Sequence, residues 1–285
     1  MSDIGAPRLA STIVEPASGA RPDRAVLFLH GILGQGSNFR SIARRTVDAL
    51  AVEGRSWRAV LVDLRAHGAS QGFSPPHTIR ACAEDLEALA HALDLPVAGV
   101  VGHSFGGKVA LSFAEIHRVG SLVLLDSSPG PRVDARGSES TVAVVELLVS
   151  MPRSFPTRAA FVDRLVGAGH AEAFAQWLAM NLVRDGEAFT NRLEMPVIRA
   201  LLDDYFAVDL WRVLEREGVL GQWDVVLGET SRVFDDADRR RLDRCVAQAP
   251  SARRVAVLEG AGHWVHVDAP DRTVALLVAA LERAD

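Results

Sequence analysis

Short apolar runs alternate with longer amphipathic stretches in the first part of the chain. Residues 25–29 (Ala-Val-Leu-Phe-Leu), 57–64, 97–103 and 121–126 are dense in branched apolar side chains, the pattern of strands buried on both faces. Between them, 38–52 carries Phe39, Ile42, Ala43, Val47 and Leu50 at helical spacing. Residues 78–93 repeat Ile79, Cys82, Leu86, Leu89 and Leu93 in the same way, and 105–118 reads as a further helix. Strands and helices at this pace predict an α/β fold, a parallel sheet with helices on both faces. The rhythm breaks near Pro131. From there to Gly221 the pattern predicts helices at 141–150, 157–166, 170–183, 194–204 and 208–217, interrupted by Pro152, Pro156, Gly186 and Pro196, with no convincing strand. It resumes with strand 223–228, helix 236–248, strand 253–259 and helix 269–283. The chain thus divides into a core of 1–130 with 221–285 and a helical insertion, 131–220. Trp177, Met180, Phe206 and Trp211 give that insertion more large apolar side chains than a surface helix needs, which predicts a cap over a cleft.

Composition narrows the class. A chain of 285 residues with 48% hydrophobic positions is long enough to bury a core without disulfide or metal staples. Its net charge of −5 argues against a generally basic nucleic-acid binder. Of its 31 basic residues only Lys108 is lysine. No apolar run approaches the ~20 residues of a membrane span. The stretch from Met1 to Pro16 lacks a basic-then-apolar leader pattern, so a cytoplasmic location is expected. Cys82 and Cys245 fit apolar helix faces, as structural thiols in a reducing compartment would.

Three motifs carry chemistry. Gly102-His103-Ser104-Phe105-Gly106 lies between a predicted strand and a predicted helix, the setting of a G-x-S-x-G nucleophile elbow; the competing reading is a chance glycine-rich turn. His30-Gly31-Ile32-Leu33-Gly34-Gln35-Gly36 follows the first buried strand. Its glycines are spaced G-x-x-G-x-G, wrong for a dinucleotide-binding turn, although Asp63 would support that alternative. An oxyanion loop fits better, with the Ile32 N–H pairing with that of Phe105 and His30 as its orienter. Gly262-His263-Trp264 falls after the last strand, at the sheet edge that carries the elbow, where His263 can act as base. His266 is the competing histidine, and a His263–His266 metal pair lacks a third ligand. The acid is less plain. The turn after strand 223–228 reads Gly228-Glu229-Thr230-Ser231. Parallel strands deliver their carboxyl ends to one edge, so Asp126 can reach His263 from the adjacent strand; Glu229 and the Asp235–Asp236 pair are the runners-up.

The segments His30-Gly31-Ile32-Leu33-Gly34, Asp63-Leu64-Arg65-Ala66-His67-Gly68, Gly102 to Lys108 and Gly262-His263-Trp264-Val265-His266 occur in the order of the α/β-hydrolase superfamily, which the chain resembles over nearly its whole length. Within it the chain is most similar to bacterial esterases and acyl-CoA thioesterases of the YbfF type, through Gly107-Lys108, His-Trp-x-His and Asn181-Leu182-Val183. Ala66 departs from the Asn usual there. The resemblance implies an α/β-hydrolase fold with an inserted helical cap, Asp126 as the acid and Ser231 as its polar helper.

The sequence therefore predicts a serine hydrolase of small-molecule esters or acyl thioesters. Ser104, His263 and Asp126 are its triad, Ile32 and Phe105 its oxyanion donors, and Ser231 and His30 auxiliaries. No metal or redox cofactor and no nucleic-acid partner are expected. Trp177, Met180, Phe206, Trp211 and Trp264 are candidate pocket lining, with packing inside the cap as the other reading of the first four. Asp63, Arg65 and His67 are read as loop-fixing, and His103 as packing behind the elbow. Two other functions stay open: C–C bond or lactone hydrolysis on the same triad, with Arg153, Arg184 or Arg192 meeting an acidic substrate, or a non-catalytic sensor.

Overall fold

A computed structural model describes residues 8–132, 135, 139–216 and 220–284. The strands are β1 (Ser11–Val14), β2 (Arg24–Leu29), β3 (Trp57–Val62), β4 (Val97–His103), β5 (Ser121–Leu125), β6 (Ser154–Phe155), β7 (Leu182–Asp185), β8 (Ala188–Asn191), β9 (Gln222–Gly228) and β10 (Arg253–Leu258). Among the described residues, seven of them form one sheet in the order β1-β3-β2-β4-β5-β9-β10, parallel throughout except for β1 at the edge. The continuous apolar runs are explained by burial on both faces. Val26 and Phe28 point to one side and Leu27 and Leu29 to the other, the two-residue alternation of a strand.

One face is covered by α1 (Arg40–Val52), through Ile42, Val47 and Leu50. The opposite face receives α2 (Ile79–Ala92) and α3 (Phe105–Ala114). Thr78 caps α2 by accepting the Ala81 N–H at 3.1 Å. All ten residues of α3 are buried, which its run of small and apolar side chains permits. The inserted segment carries α4 (Glu139–Ser150), α5 (Arg158–Gly167), α6 (Glu172–Leu178), α7 (Met195–Ala207) and α8 (Trp211–Glu215). Helix α7 packs on α2 and α3, and Asp204 accepts the Ile79 N–H at 2.7 Å, tying it to the start of α2. The C-terminal part adds α9 (Asp236–Gln248), α10 (Val265–Asp268) and α11 (Pro270–Glu282), the last beside α1.

Two differences from the sequence pattern stand out. The inserted segment is not wholly helical: β6, β8 and β7 form a small antiparallel sheet. Its β7–β8 hairpin turns through Gly186 and Glu187, with Gly186 at φ +62°, a first-position turn glycine. Strands of two and four residues are too short for an alternation to register, and Gly186 reads as a helix breaker only when the hairpin is not considered. Strand β1, three of its four residues exposed, also gave no pattern. The predicted end of helix 208–217 at Glu217 lies outside the described residues.

Candidate active site

The carboxyl edge of the sheet gathers the loops that follow β2, β4, β5, β9 and β10. Ser104 follows β4 and caps α3 with φ +51° and ψ −116°, a strained backbone for a non-glycine residue. Tight packing around it requires the flanking glycines. A Cβ on Gly102 would lie 2.3 Å from the Gly106 carbonyl oxygen, and one on Gly106 would lie 2.5 Å from those of Leu29 and His30. The Ser104 N–H donates to Leu125 O at 3.1 Å, and its carbonyl accepts the Ser127 hydroxyl at 2.6 Å. The turn is thereby held from the neighbouring strand.

The loop after β2 lies against this turn: a Cβ on Gly31 would be 3.5 Å from Ser104 Cβ. Two buried histidines brace it. His30 donates from Nδ1 to Gly31 O at 2.8 Å and accepts the Leu64 N–H on Nε2 at 3.0 Å. His67 donates to Arg65 O at 2.9 Å and accepts the Leu33 N–H at 3.1 Å. Burial lowers His30 to about 4, and burial with the neighbouring His30 lowers His67 to about 3, so both are neutral braces. Asp63 accepts from the Gly36 and Ala69 N–H groups, each at 2.8 Å, which removes the acidic residue a dinucleotide turn would need. Arg65 pairs with Asp85 at 2.6 Å. Among the described residues no acceptor meets the Ile32 N–H, and the Phe105 N–H sits at the first position of α3, where no intrahelical acceptor exists.

His263 Nδ1 donates to Asp126 Oδ2 at 2.7 Å. Asp126 is fully buried at φ +47°, and it also accepts from the Gly228 N–H at 3.2 Å and from the Ser231 hydroxyl. The other carboxylates are engaged elsewhere. Glu229 accepts the Gly260 N–H at 2.8 Å, Asp235 caps α9 through the Asp238 N–H at 2.8 Å, and Asp236 opens that helix. His103 packs behind the turn and donates from Nε2 to His263 O at 2.9 Å. His266 is buried against Phe39, with ring centres 4.7 Å apart. Among the described residues no hydrogen bond joins Ser104 to His263; such contacts commonly tighten only with substrate. No group of three or more metal-ligating side chains occurs among the described residues.

Ser104 and His263 open on a cleft of about 380 Å³. Of the candidate lining residues, Trp177 and Trp264 are there, in edge-to-face contact at 4.7 Å. Met180, Phe206 and Trp211 are not. Met180 is 43% exposed, and Trp211 is buried beside Gly130 with the Arg241 guanidinium 4.5 Å from its ring centre. Phe206 stacks edge-on to Tyr205. Helical spacing marked them as apolar without saying which neighbour each would face. Phe174 and Thr141, which do line the cleft, were missed; Phe174 was detectable as the residue one turn before Trp177. Asn181 ties the insertion to the β2 loop, donating to Leu33 O at 2.9 Å.

A parallel sheet with a strained serine turn, a histidine–aspartate pair and unpaired amides at one edge defines an α/β hydrolase. Residues 26–276 match the alpha/beta hydrolase family, and the chain belongs to it. It is 32% identical over 253 residues to the sn-1-specific diacylglycerol lipase ABHD11 of Mus musculus, covering 86% of this chain and 77% of that protein. It is 28% identical over 263 residues to the esterase YbfF of Escherichia coli K12, covering 90% and 92%. Among solved structures, a marine microorganism esterase superposes with a TM-score of 0.79 at 21% identity, covering 96% of this chain and all of that one. The chain is a hydrolase of the esterase/lipase kind. No described helix is long and apolar enough to cross a membrane.

Proposed function

We propose that the protein cleaves carboxylic esters through an acyl-enzyme, with Ser104, His263 and Asp126 as the triad and residues 131–220 as the cap over its cleft. The observation that carries this reading is the 2.7 Å contact between His263 and a buried carboxylate, beside a serine in a strained turn. With Nδ1–H given to Asp126, His263 keeps its Nε2 lone pair for the Ser104 proton. Attack forms the Oγ–C bond and moves the carbonyl electrons onto oxygen, which the Ile32 and Phe105 N–H groups receive. His263 then protonates the leaving alcohol or thiol. Water attacks the acyl-enzyme in the same way, and Ser104 recovers its proton. Ser231 and Gly228 hold Asp126 in place, and His30 braces the loop with both ring nitrogens occupied.

The cleft lining includes no Lys, Arg, Asp or Glu among the described residues, which favours an uncharged acyl chain. Any charged carrier of an acyl thioester stays outside it. Arg153, Arg184 and Arg192 do not line the cleft, so the acidic-substrate version loses its support. A non-catalytic sensor needs no acid behind His263, and the buried Asp126 carboxylate 2.7 Å from its Nδ1 supports turnover instead. The relatives named above as an esterase and a lipase agree with ester cleavage. The test is a p-nitrophenyl ester series from two to twelve carbons. Hydrolysis should favour short and medium chains and be lost in Ser104→Ala. Absence of wild-type hydrolysis across the series overturns the proposal.

A further inference from the structure

Asn181 is a buried polar side chain of the inserted segment, between α6 and β7 and four residues beyond Trp177 of the cleft. Its Nδ2 donates to Leu33 O at 2.9 Å and to Leu178 O at 3.2 Å. Both partners are carbonyls and only accept, so the amide must turn its NH2 toward them. The backbone that carries it is pinned on both sides. The Arg158 guanidinium donates to Ala179 O and, at 2.7 Å, to Leu182 O, and the Arg192 N–H donates to Asn181 O at 3.0 Å. Asn181 Oδ1, in contrast, is buried without a partner among the described residues, which costs stability. An apolar side chain would avoid that cost, so the worth of the amide at this position lies in its donor.

The carbonyl it holds belongs to a turn that needs holding. Residues 31–34 form a β-turn closed by the Gly34 N–H on Gly31 O at 3.0 Å. Ile32 and Leu33 are its central residues. Leu33 has φ +65°, the left-handed conformation that the second central position of a type II turn demands and that glycine or asparagine ordinarily supplies. A leucine stays there only when its surroundings fix it. His67 accepts the Leu33 N–H at 3.1 Å and Asn181 donates to its carbonyl, so the residue is held at both ends. Ile32 immediately precedes it, and its N–H is the one that the turn's closing bond leaves free. Ile32, Leu33 and Ser104 all line the cleft, and Asn181 does not.

We propose that Asn181 is a positioning residue for the oxyanion loop: from the inserted segment it holds Leu33 in its left-handed conformation and so aims the Ile32 N–H at the oxygen that gains charge when Ser104 attacks. The inference rests on the serine mechanism above. Because Asn181 acts through Leu33 and not on the substrate, its effect falls on the charged tetrahedral state and spares the uncharged ester. The inserted segment thereby completes the oxyanion hole as well as bounding the cleft. An insertion that lifts away releases the Leu33 carbonyl and, with it, the aim of the Ile32 N–H.

The test compares wild type with Asn181→Ala and Asn181→Leu, the second keeping most of the volume and removing every polar atom of the side chain. Hydrolysis of one p-nitrophenyl ester is expressed per Ser104 site titrated with a fluorophosphonate, so that misfolded chains drop out. In each variant kcat should fall about tenfold, less than the loss of an oxyanion donor itself, with KM changed by less than about twofold. The inhibition constant of an alkyl trifluoromethyl ketone, which Ser104 converts to a tetrahedral oxyanion, should rise by the factor by which kcat falls. A residue that served only the fold would lower the melting temperature and leave both per-site values alone. Wild-type kcat per site in the variants, a loss carried by KM, or a trifluoromethyl ketone bound as tightly as by wild type overturns the inference. A wild type that neither hydrolyses esters nor takes the label overturns the serine mechanism too; an active wild type with indifferent Asn181 variants overturns only the role of Asn181.

Discussion

Asp126 receives three donors, His263 Nδ1, the Ser231 hydroxyl and the Gly228 N–H, and has no solvent exposure. Burying a carboxylate so completely is costly unless it is hydrogen-bonded in this way. The three donors differ in what their loss does. Asp126→Asn leaves the shape intact but removes the acceptor that holds His263 with Nε2 free, and kcat should fall on the order of 10³- to 10⁴-fold with KM little changed. Ser231→Ala removes one donor and leaves the other two, and about a tenfold loss is expected. Steady-state kinetics on one ester measures both; equal effects would contradict the assignment of Asp126 as the acid and Ser231 as its helper. These residues were not equally legible in the sequence. Ser104 could be read because an elbow is a local device, its glycines dictated by atoms within a few residues and on β2. Asp126 needed the order of strands as well, since only the adjacency of β5 and β9 brings it under His263.

At the scale of elements, the β2 loop depends on neutral histidines. His30 and His67 hold it from the loop after β3, His103 backs the His263 turn, and His266 packs on Phe39. Burial first, and the neighbouring imidazoles second, keep the last two unprotonated as well: His103 lies well below its ordinary range and His266 near 4. The sign follows from linkage. In the unfolded chain each takes up a proton below about pH 6.5, whereas in the fold each stays neutral. Their stabilising contribution is therefore complete above that pH and is lost as pH falls toward about 4. At pH 5 the loss is about 2 kcal/mol for each histidine that remains neutral. Urea denaturation should show the midpoint falling steeply between pH 7.5 and 5, with the dependence weakened in His67→Gln if that variant folds. A stability constant across that interval would contradict the neutral assignment. The small β6-β8-β7 sheet was illegible for a related reason of scale: two- and four-residue strands hold too few positions for a period to show, and their pairing appears only when the hairpin closes at Gly186.

For the whole molecule, the proposed division of labour is between a sheet whose edge carries Ser104, His263 and Asp126 and an inserted segment that lines the other side of their cleft with Thr141, Phe174 and Trp177. The sheet was readable because its strands are long, apolar on both faces and regularly spaced. The enclosure was readable only as an excess of large side chains, and Trp177 alone of the four singled out in it reaches the cleft. Met180 and Trp211 show why: an apolar side chain on a helix can face the cleft, the core or solvent, and spacing does not distinguish them. The insertion also reaches the β2 loop directly, through Asn181, which donates to Leu33 O at 2.9 Å. The central claim remains that Ser104 becomes acylated. It is tested most directly by reacting the protein with a fluorophosphonate and mapping the adduct by intact mass and peptide sequencing. The account predicts one adduct per chain, on Ser104, and none in Ser104→Ala. An unlabelled wild type, or an adduct on any other residue, would contradict it.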